Sequence, residues 1–207
     1  MSKRDDETII LGSGNLHYTE FNGTLPSLED IFTEETIVGA IQGGASIEYK
    51  PTFYEAKDDS GKLVKTILTD EEATLKTGIM SKIGQNLERL SSTARVSTSN
   101  GKRIVKIGGV GNHNGKSYVW GFHHIDKKDG DIYLIIVGLN QNGFTIAFAK
   151  DKETVVDAEI KCLPQDDEGT LIQYIEEIGE ATAAANTDSA SGDGVEGDEP
   201  TEPEGTE

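Results

Sequence analysis

Little in this chain equips it for chemistry or for export. It holds one cysteine, Cys162, so no disulfide can form within it. It has one Trp, five Pro and an apolar fraction of 35%, low for a globular protein. Basic side chains are scarce, 19 Lys and Arg against 37 Asp and Glu. A net charge of −18 argues against a nucleic-acid-binding surface, because phosphate neutralisation needs cations. The start, MSKRDDE, is followed by no apolar h-region, and no apolar span approaches about 18 residues. Neither a secretion signal nor a membrane anchor is expected, and the chain reads as made and folded in a reducing cytoplasm.

Part of the acidity is local. From Glu180 to Glu207 there are nine acidic residues and no Lys or Arg, and taking these from −18 leaves −9 for the rest. That C-terminal stretch has no aromatic residue and one β-branched apolar residue, Val195. Such a segment cannot bury enough surface to offset its ordering entropy. The expected organisation is a β domain over 1–178 and a disordered acidic tail over 179–207.

Turn signals dominate the first part. Asn-Gly occurs at Asn22-Gly23, Asn100-Gly101, Asn114-Gly115 and Asn142-Gly143, and Asp129-Gly130 adds a fifth signal. Type I′ turns need positive φ at both central residues, which these pairs tolerate best. Between them lie strand-like segments: Thr8 to Gly12, Asn15 to Phe21, Arg103 to Ile107, Ser117 to Ile125, Asp131 to Val137 and Phe144 to Ala149, with Thr154 to Leu163 and Thr170 to Ile178 after them. The pattern predicts a mainly β fold, an antiparallel sandwich or barrel. Ile132 to Val137 is apolar on both faces and is expected at the centre. Tyr118, Trp120 and Phe122 form an aromatic stripe that reads as core. Cys162 shares an inward face with Val156, Ala158 and Ile160, and reads as a small buried hydrophobe.

One flanking helix is predicted from about Gln85 to Thr93, with Ile83, Leu87, Leu90 and Ala94 inward and Asn86, Glu88, Arg89 and Ser91 outward. A short helical turn at Ser27 to Phe32, entered through Pro26, is also predicted.

The most informative segment is a long hairpin between Ala45 and Thr69, in which ASIEYKPTFYEA is answered by LVKTILT across the tip Lys57, Asp58, Asp59, Ser60, Gly61 and Lys62. Twelve residues at about 3.3 Å each reach about 40 Å, roughly the width of a domain of this size. An arm that leaves the body needs its backbone paired and its apolar side chains covered, and another subunit is the expected cover.

Catalytic patterns break on inspection. GGVGNHNGKS, Gly108 to Ser117, lacks a Gly at Val110, where a phosphate loop needs one, and precedes a strand; it reads as a tight hairpin loop. His123 and His124 are neighbours in a strand and point to opposite faces; His17 and His113 complete the set, with no H-x-x-x-H and no second cysteine. Acidic clusters at Asp126 to Asp131 and Asp166 to Glu168 lack calcium-loop spacing and read as solvated turns. No catalytic residue, cofactor or metal site is expected, and the chain does not read as an enzyme.

The phrases GGASIEYKPTFYEAKDDSGKLVKTILTDEEATLKTGIM, NLERLSSTARV, GKRIVKIGGVGNHNGKSYVWGFHHIDKKDGDIYLIIVG and FTIAFAKDKETVVDAEIKCLPQDDEGTL resemble tail tube (major tail) proteins of long-tailed bacteriophages and prophages of Gram-positive bacteria. The likeness runs from about Ile9 to Ile178. It implies a β-sandwich-like subunit with a flanking helix, six of which form a ring. Rings stack into a hollow tube with an acidic lumen that conducts DNA without binding it specifically. It further implies tail tip, terminator and tape measure partners, assembly in the bacterial cytoplasm, and a place in the virion tail. The hairpin, with Lys57 to Lys62 at its tip, is then the oligomer contact. A monomeric β-sandwich binding module for carbohydrate or a host surface, using Trp120 and the tyrosines, is the alternative.

Overall fold

The computed structural model describes residues 14–126, 130–146, 148, 150–151 and 153–177. The expected strand at Thr8 to Gly12 and the expected disordered tail lie outside these. Among the described residues, ten strands and two α-helices follow in the order β1 Asn15–Phe21, α1 Leu28–Ile31, β2 Ile37–Gly39, β3 Ile41–Lys57, β4 Leu63–Ile79, α2 Ile83–Leu90, β5 Arg95–Ser99, β6 Lys102–Lys106, β7 Ser117–His124, β8 Ile132–Asn140, β9 Val156–Leu163 and β10 Gln173–Glu176. The fold is mainly β, and all its strand pairs are antiparallel.

Eight strands form one sheet in the order β2-β1-β7-β8-β9-β4-β3, with β10 beside β8; β5 and β6 form a separate hairpin. The two ends of the large sheet, β2 and β3, are separated in sequence by Ala40 alone. Two residues apart along a trans chain is at most about 7 Å, so the sheet must curl until its edges meet. The result is barrel-like. Its seam is sewn by backbone and side chain: Met80 N donates to Ala40 O (2.9 Å) and Ala40 N to Ser81 Oγ (2.7 Å).

Apolar alternation explains the filling. Leu16, Leu75, Trp120, Ile136, Ala158, Ile160 and Cys162 converge on the concave side, closed by Leu90 of α2. Burial pushes the Cys162 thiol up to about 11, as suits a hydrophobe and not a nucleophile. On the opposite face Val119, Ile135 and Val137 pack against Ile31 of α1. β8 is therefore covered on both faces, as its unbroken apolar run requires. β9 and β10 pair with successive stretches of the same β8 edge, so they form one line interrupted by an excursion over residues 164–172.

Several sequence expectations need correction. The residues of Phe144 to Ala149 described here make only an isolated bridge, Ile146 to Val156. The chain parts from β9 after Asn140 and touches it again at a single point, too briefly for a ladder. The Gly108 to Ser117 loop is not a hairpin, because β6 pairs with β5 while β7 pairs with β1 and β8. Of the Asn-Gly pairs, Asn100-Gly101 has both φ values positive, 51° and 71°, and it joins the β5–β6 hairpin.

Asn86 is not on the outer face of α2 but 1% exposed at the seam. Its amide nitrogen donates to Val38 O (3.1 Å) and Ser81 O (3.0 Å), and its oxygen accepts from Arg89 Nη1 (2.6 Å). Arg89 likewise turns inward, its guanidinium 3.2 Å from the centre of the Tyr18 ring. Asn86→Leu would leave two carbonyls without their donor, a loss of about 2 kcal/mol. Urea unfolding is expected to show it as a lower midpoint at unchanged slope.

Candidate functional site: the projecting ribbon

The β3–β4 hairpin is longer than the sequence expectation, paired from Ile41 and Ile79 outward. Two glycines set its root: Gly43 and Gly44, with φ of 75° and 72°, sit in a bulge between Gln42 and Ala45. β9 supports β4 only over residues 74–79. Beyond that point β4 pairs with β3 alone among the described residues, with Pro164, Gly169 and Leu171 lying beside Leu68 to Glu71. The free part of β3, nine residues over 49–57, reaches about 30 Å. Further bulges at Thr52/Phe53 and Ala56/Lys57 coil the ribbon, and Thr69 Oγ1 bridges the first by donating to Thr52 O (3.1 Å).

Root and outer part carry opposite chemistry. At the root, one face is an ion-pair lattice across three strands. Glu48 contacts Lys50 (2.8 Å) and Lys76 (3.3 Å), Lys76 reaches Glu159 (3.9 Å), and Lys161 contacts Glu72 (2.8 Å). Hydrogen bonds from Lys50 hold the Glu48 carboxyl below its ordinary range, and Lys161 does the same for Glu72. Carboxyls depressed in the folded state stabilise it above their unfolded pKa and lose that effect as pH falls through the depressed value. The lattice is thus intact at neutral pH and weakens in acid as its carboxyls protonate, and in strong base as Lys50 and Lys161 lose their protons.

The outer part is apolar on both faces at one level. Phe53 pairs with Leu68 on one face and Tyr54 with Ile67 on the other. Of fourteen exposed large apolar side chains among the described residues, seven lie on this ribbon: Tyr49, Phe53, Tyr54, Leu63, Val64, Ile67 and Leu68. Half of the exposed large apolar side chains on one ribbon is more than the scatter normal for a monomer surface. Pro51 sits on the open edge of β3, where its missing N–H costs no ladder bond and discourages indiscriminate strand addition.

The expected tip residues, Lys57, Asp58, Asp59, Ser60, Gly61 and Lys62, close the ribbon as expected. Asp58 organises the turn: its Oδ1 accepts from Ser60 N (3.0 Å), Ser60 Oγ (2.6 Å) and Lys62 N (2.8 Å). Gly61 supplies the positive φ, 80°. Lys57 pairs with Glu55 (3.5 Å). The sequence reading named these charged tip residues as the expected oligomer contact and did not single out the apolar pairs behind them. Their signal was present: the doublets Phe53-Tyr54 and Ile67-Leu68 face each other and cannot both point inward.

The other candidates are placed elsewhere. His123 bonds Asp131 (2.8 Å) and stacks on Tyr133 (4.5 Å), while His17 is buried and bonds Thr36 (2.9 Å). Burial, then the neighbouring His123, lowers the His17 pKa. His113 accepts from Gly115 N (3.2 Å) in the loop, whose Lys116 is paired with Glu20 (2.9 Å). Asp166 caps its own turn, accepting from Glu168 N and Thr170 N. Among the described residues no three of His, Cys, Asp or Glu gather as metal ligands would, and no helix is long and apolar enough to cross a membrane. Trp120 is 1% exposed and lies in the core. Compared with protein-family models and with curated protein sequences, the chain finds no match in either.

Proposed function

We propose that the chain is a self-assembling structural subunit of a bacteriophage or prophage tail tube. Six copies form a ring, rings stack, and DNA passes through an acidic lumen during ejection. The observation that carries this reading is the ribbon, a two-stranded projection with apolar side chains on both faces. An isolated two-stranded hairpin is marginal in water, so a projection of this length gains from being covered. Other copies of the chain are the natural cover, since each carries both the ribbon and the body it leaves. The charge of −9 that remains outside Glu180 to Glu207 (−18 less nine acidic residues) fits a conduit wall that repels DNA rather than holding it. The sequence resemblance between about Ile9 and Ile178 supports the specific setting, in the virion tail with tip, terminator and tape measure partners. No catalytic step is assigned.

The test is direct. Purified full chain, followed by mass photometry and negative-stain microscopy over a concentration series, is expected to give rings or tubes. A strict monomer at every concentration and salt would defeat the proposal. The exposed Tyr49, Phe53 and Tyr54 favour one second reading, a monomeric module stacking sugars on its ribbon. A saturable glycan signal from a monodisperse monomer would select it.

A further inference from the structure

Charge in this chain is segregated, a pattern that the average of −18 conceals. Residues 89–125 hold Arg89, Arg95, Lys102, Arg103, Lys106 and Lys116 and no acidic residue at all. Residues 5–49 hold nine acidic residues and no Lys or Arg. The fold turns the described part of each run into a surface.

The basic run forms the β5–β6 hairpin, outside the large sheet. Register places Arg95 opposite Lys106, Ser97 opposite Ile104 and Ser99 opposite Lys102, all on one face. The other face carries half-buried Val96 and Val105. Arg95, Lys102, Arg103 and Lys106 are exposed, and among the described residues none forms an ion pair with a carboxylate. Like charges placed directly across a ladder destabilise it. No acidic side chain among the described residues lies within ion-pairing distance to relieve this. An external anion would relieve it.

The acidic run helps line a cleft of about 600 Å³ between β1, α1, α2 and β7. Glu20, Asp30, Glu35 and Glu88 enter it together with Arg89 and Lys116. Both cations are already engaged, Lys116 with Glu20 (2.9 Å) and Arg89 with the Tyr18 ring and Asn86 (2.6 Å). Asp30, Glu35 and Glu88 form no ion pair among the described residues and are exposed.

We propose that the β5–β6 hairpin of one copy docks by charge on this acid-lined cleft of a second copy. The inference rests on the self-assembly reading for the identity of its occupant, and it names a contact separate from the ribbon. Because the two surfaces differ, the contact is head-to-tail and must close into a ring or propagate. Exposed charges at such a contact set register and encounter rate and are screened by salt.

The test uses full-length chains and a charge swap. One variant carries Lys102→Glu, Arg103→Glu and Lys106→Glu, the other Asp30→Lys, Glu35→Lys and Glu88→Lys, each checked for fold by circular dichroism. The milder Lys102→Gln, Lys106→Gln chain guards against a misfolded triple variant. Sedimentation velocity at about 0.1 M and about 1 M NaCl spans screening lengths from about 10 Å to about 3 Å. Each reversed variant alone is expected to need at least about tenfold more protein to associate than wild type. The equimolar mixture is expected to recover association, and high salt to weaken wild type and mixture alike. Wild type and hairpin-reversed chain assembling equally would overturn this contact while leaving the ribbon reading intact. A mixture that stays dissociated, or a hairpin that instead binds a labelled DNA duplex in a charge-dependent way, would also overturn it. A wild type that never associates removes both readings together.

Discussion

Serine at Phe53, Tyr54, Ile67 and Leu68 is expected to raise the protein concentration needed for assembly about a hundredfold. These side chains are 55%, 60%, 44% and 44% exposed in the isolated chain. Full burial of such a side chain contributes about 1.5–3 kcal/mol, so covering the exposed half contributes about 1 kcal/mol each. Ordering the ribbon on docking offsets part of this sum. About 3 kcal/mol survives, which is about two decades of association constant. The thermal midpoint of the isolated chain should hardly move, because the outer ribbon touches little of the core and frays locally rather than globally. Serine at Lys57, Asp58, Asp59 and Lys62 should also impair assembly, by a smaller factor, since those groups are solvated and Asp58 is engaged in its own turn. Light scattering against concentration separates the two variants. Unchanged assembly by the apolar variant would remove the ribbon from the mechanism.

What could be read from the residues follows their patterning. β7, β8 and β9 were legible because each sustains alternation or an apolar run, and β1 because the Asn22-Gly23 turn signal bounds it. The inward face of Val156, Ala158, Ile160 and Cys162 matches residue by residue. The turn at Ser27 to Phe32 appears as α1, with Ser27 as its cap. β2 was missed because three residues cannot show a period, and β5 because RVSTS carries one apolar side chain. Closure was hidden for another reason: that Ala40 alone joins the two sheet edges is a fact of pairing order. Asn86 was misplaced because a polar residue between Ile83 and Leu87 looks like an outer face until the seam carbonyls it bonds are known. The ribbon and its tip were legible, while the contrast between its ion-paired root and apolar outer part needed the point where β9 stops.

That stopping point has a counterpart on the other side of β9. Away from the Ala40 seam, the two halves of the large sheet, β2-β1-β7-β8 with β10 and β9-β4-β3, are laddered together through four residue pairs between Val137–Asn140 of β8 and the end of β9. The ribbon is therefore aimed by a short neck. Both barrel layers depend on it, because Ile136 and Ile160 meet in the same core.

Gly138 sits in that neck, opposite Cys162, and Gly138→Ala is expected to destabilise the chain by about 3 kcal/mol. A Cβ there would press on the Lys161 carbonyl and stand 2.8 Å from Ile160 Cγ2. The obstacle is backbone, and β9 cannot retreat because β4 holds its other edge through Val156 to Lys161. At about 2–4 °C per kcal/mol for a chain of this size, the midpoint should fall by roughly 10 °C. Hydrogen exchange should quicken in β9 before it does in β7. Gly84→Ala supplies the opposite sign from the same substitution. Gly84 opens α2 without a positive φ, and an added Cβ would meet only Arg103 Cδ at an ordinary 3.6 Å. Lower unfolded-state entropy then stabilises the fold by about 0.5 kcal/mol. Two glycines moving in opposite directions is a result that helix and strand propensities alone do not produce. If Gly138→Ala proves neutral, the neck is not the tight joint that directs the ribbon.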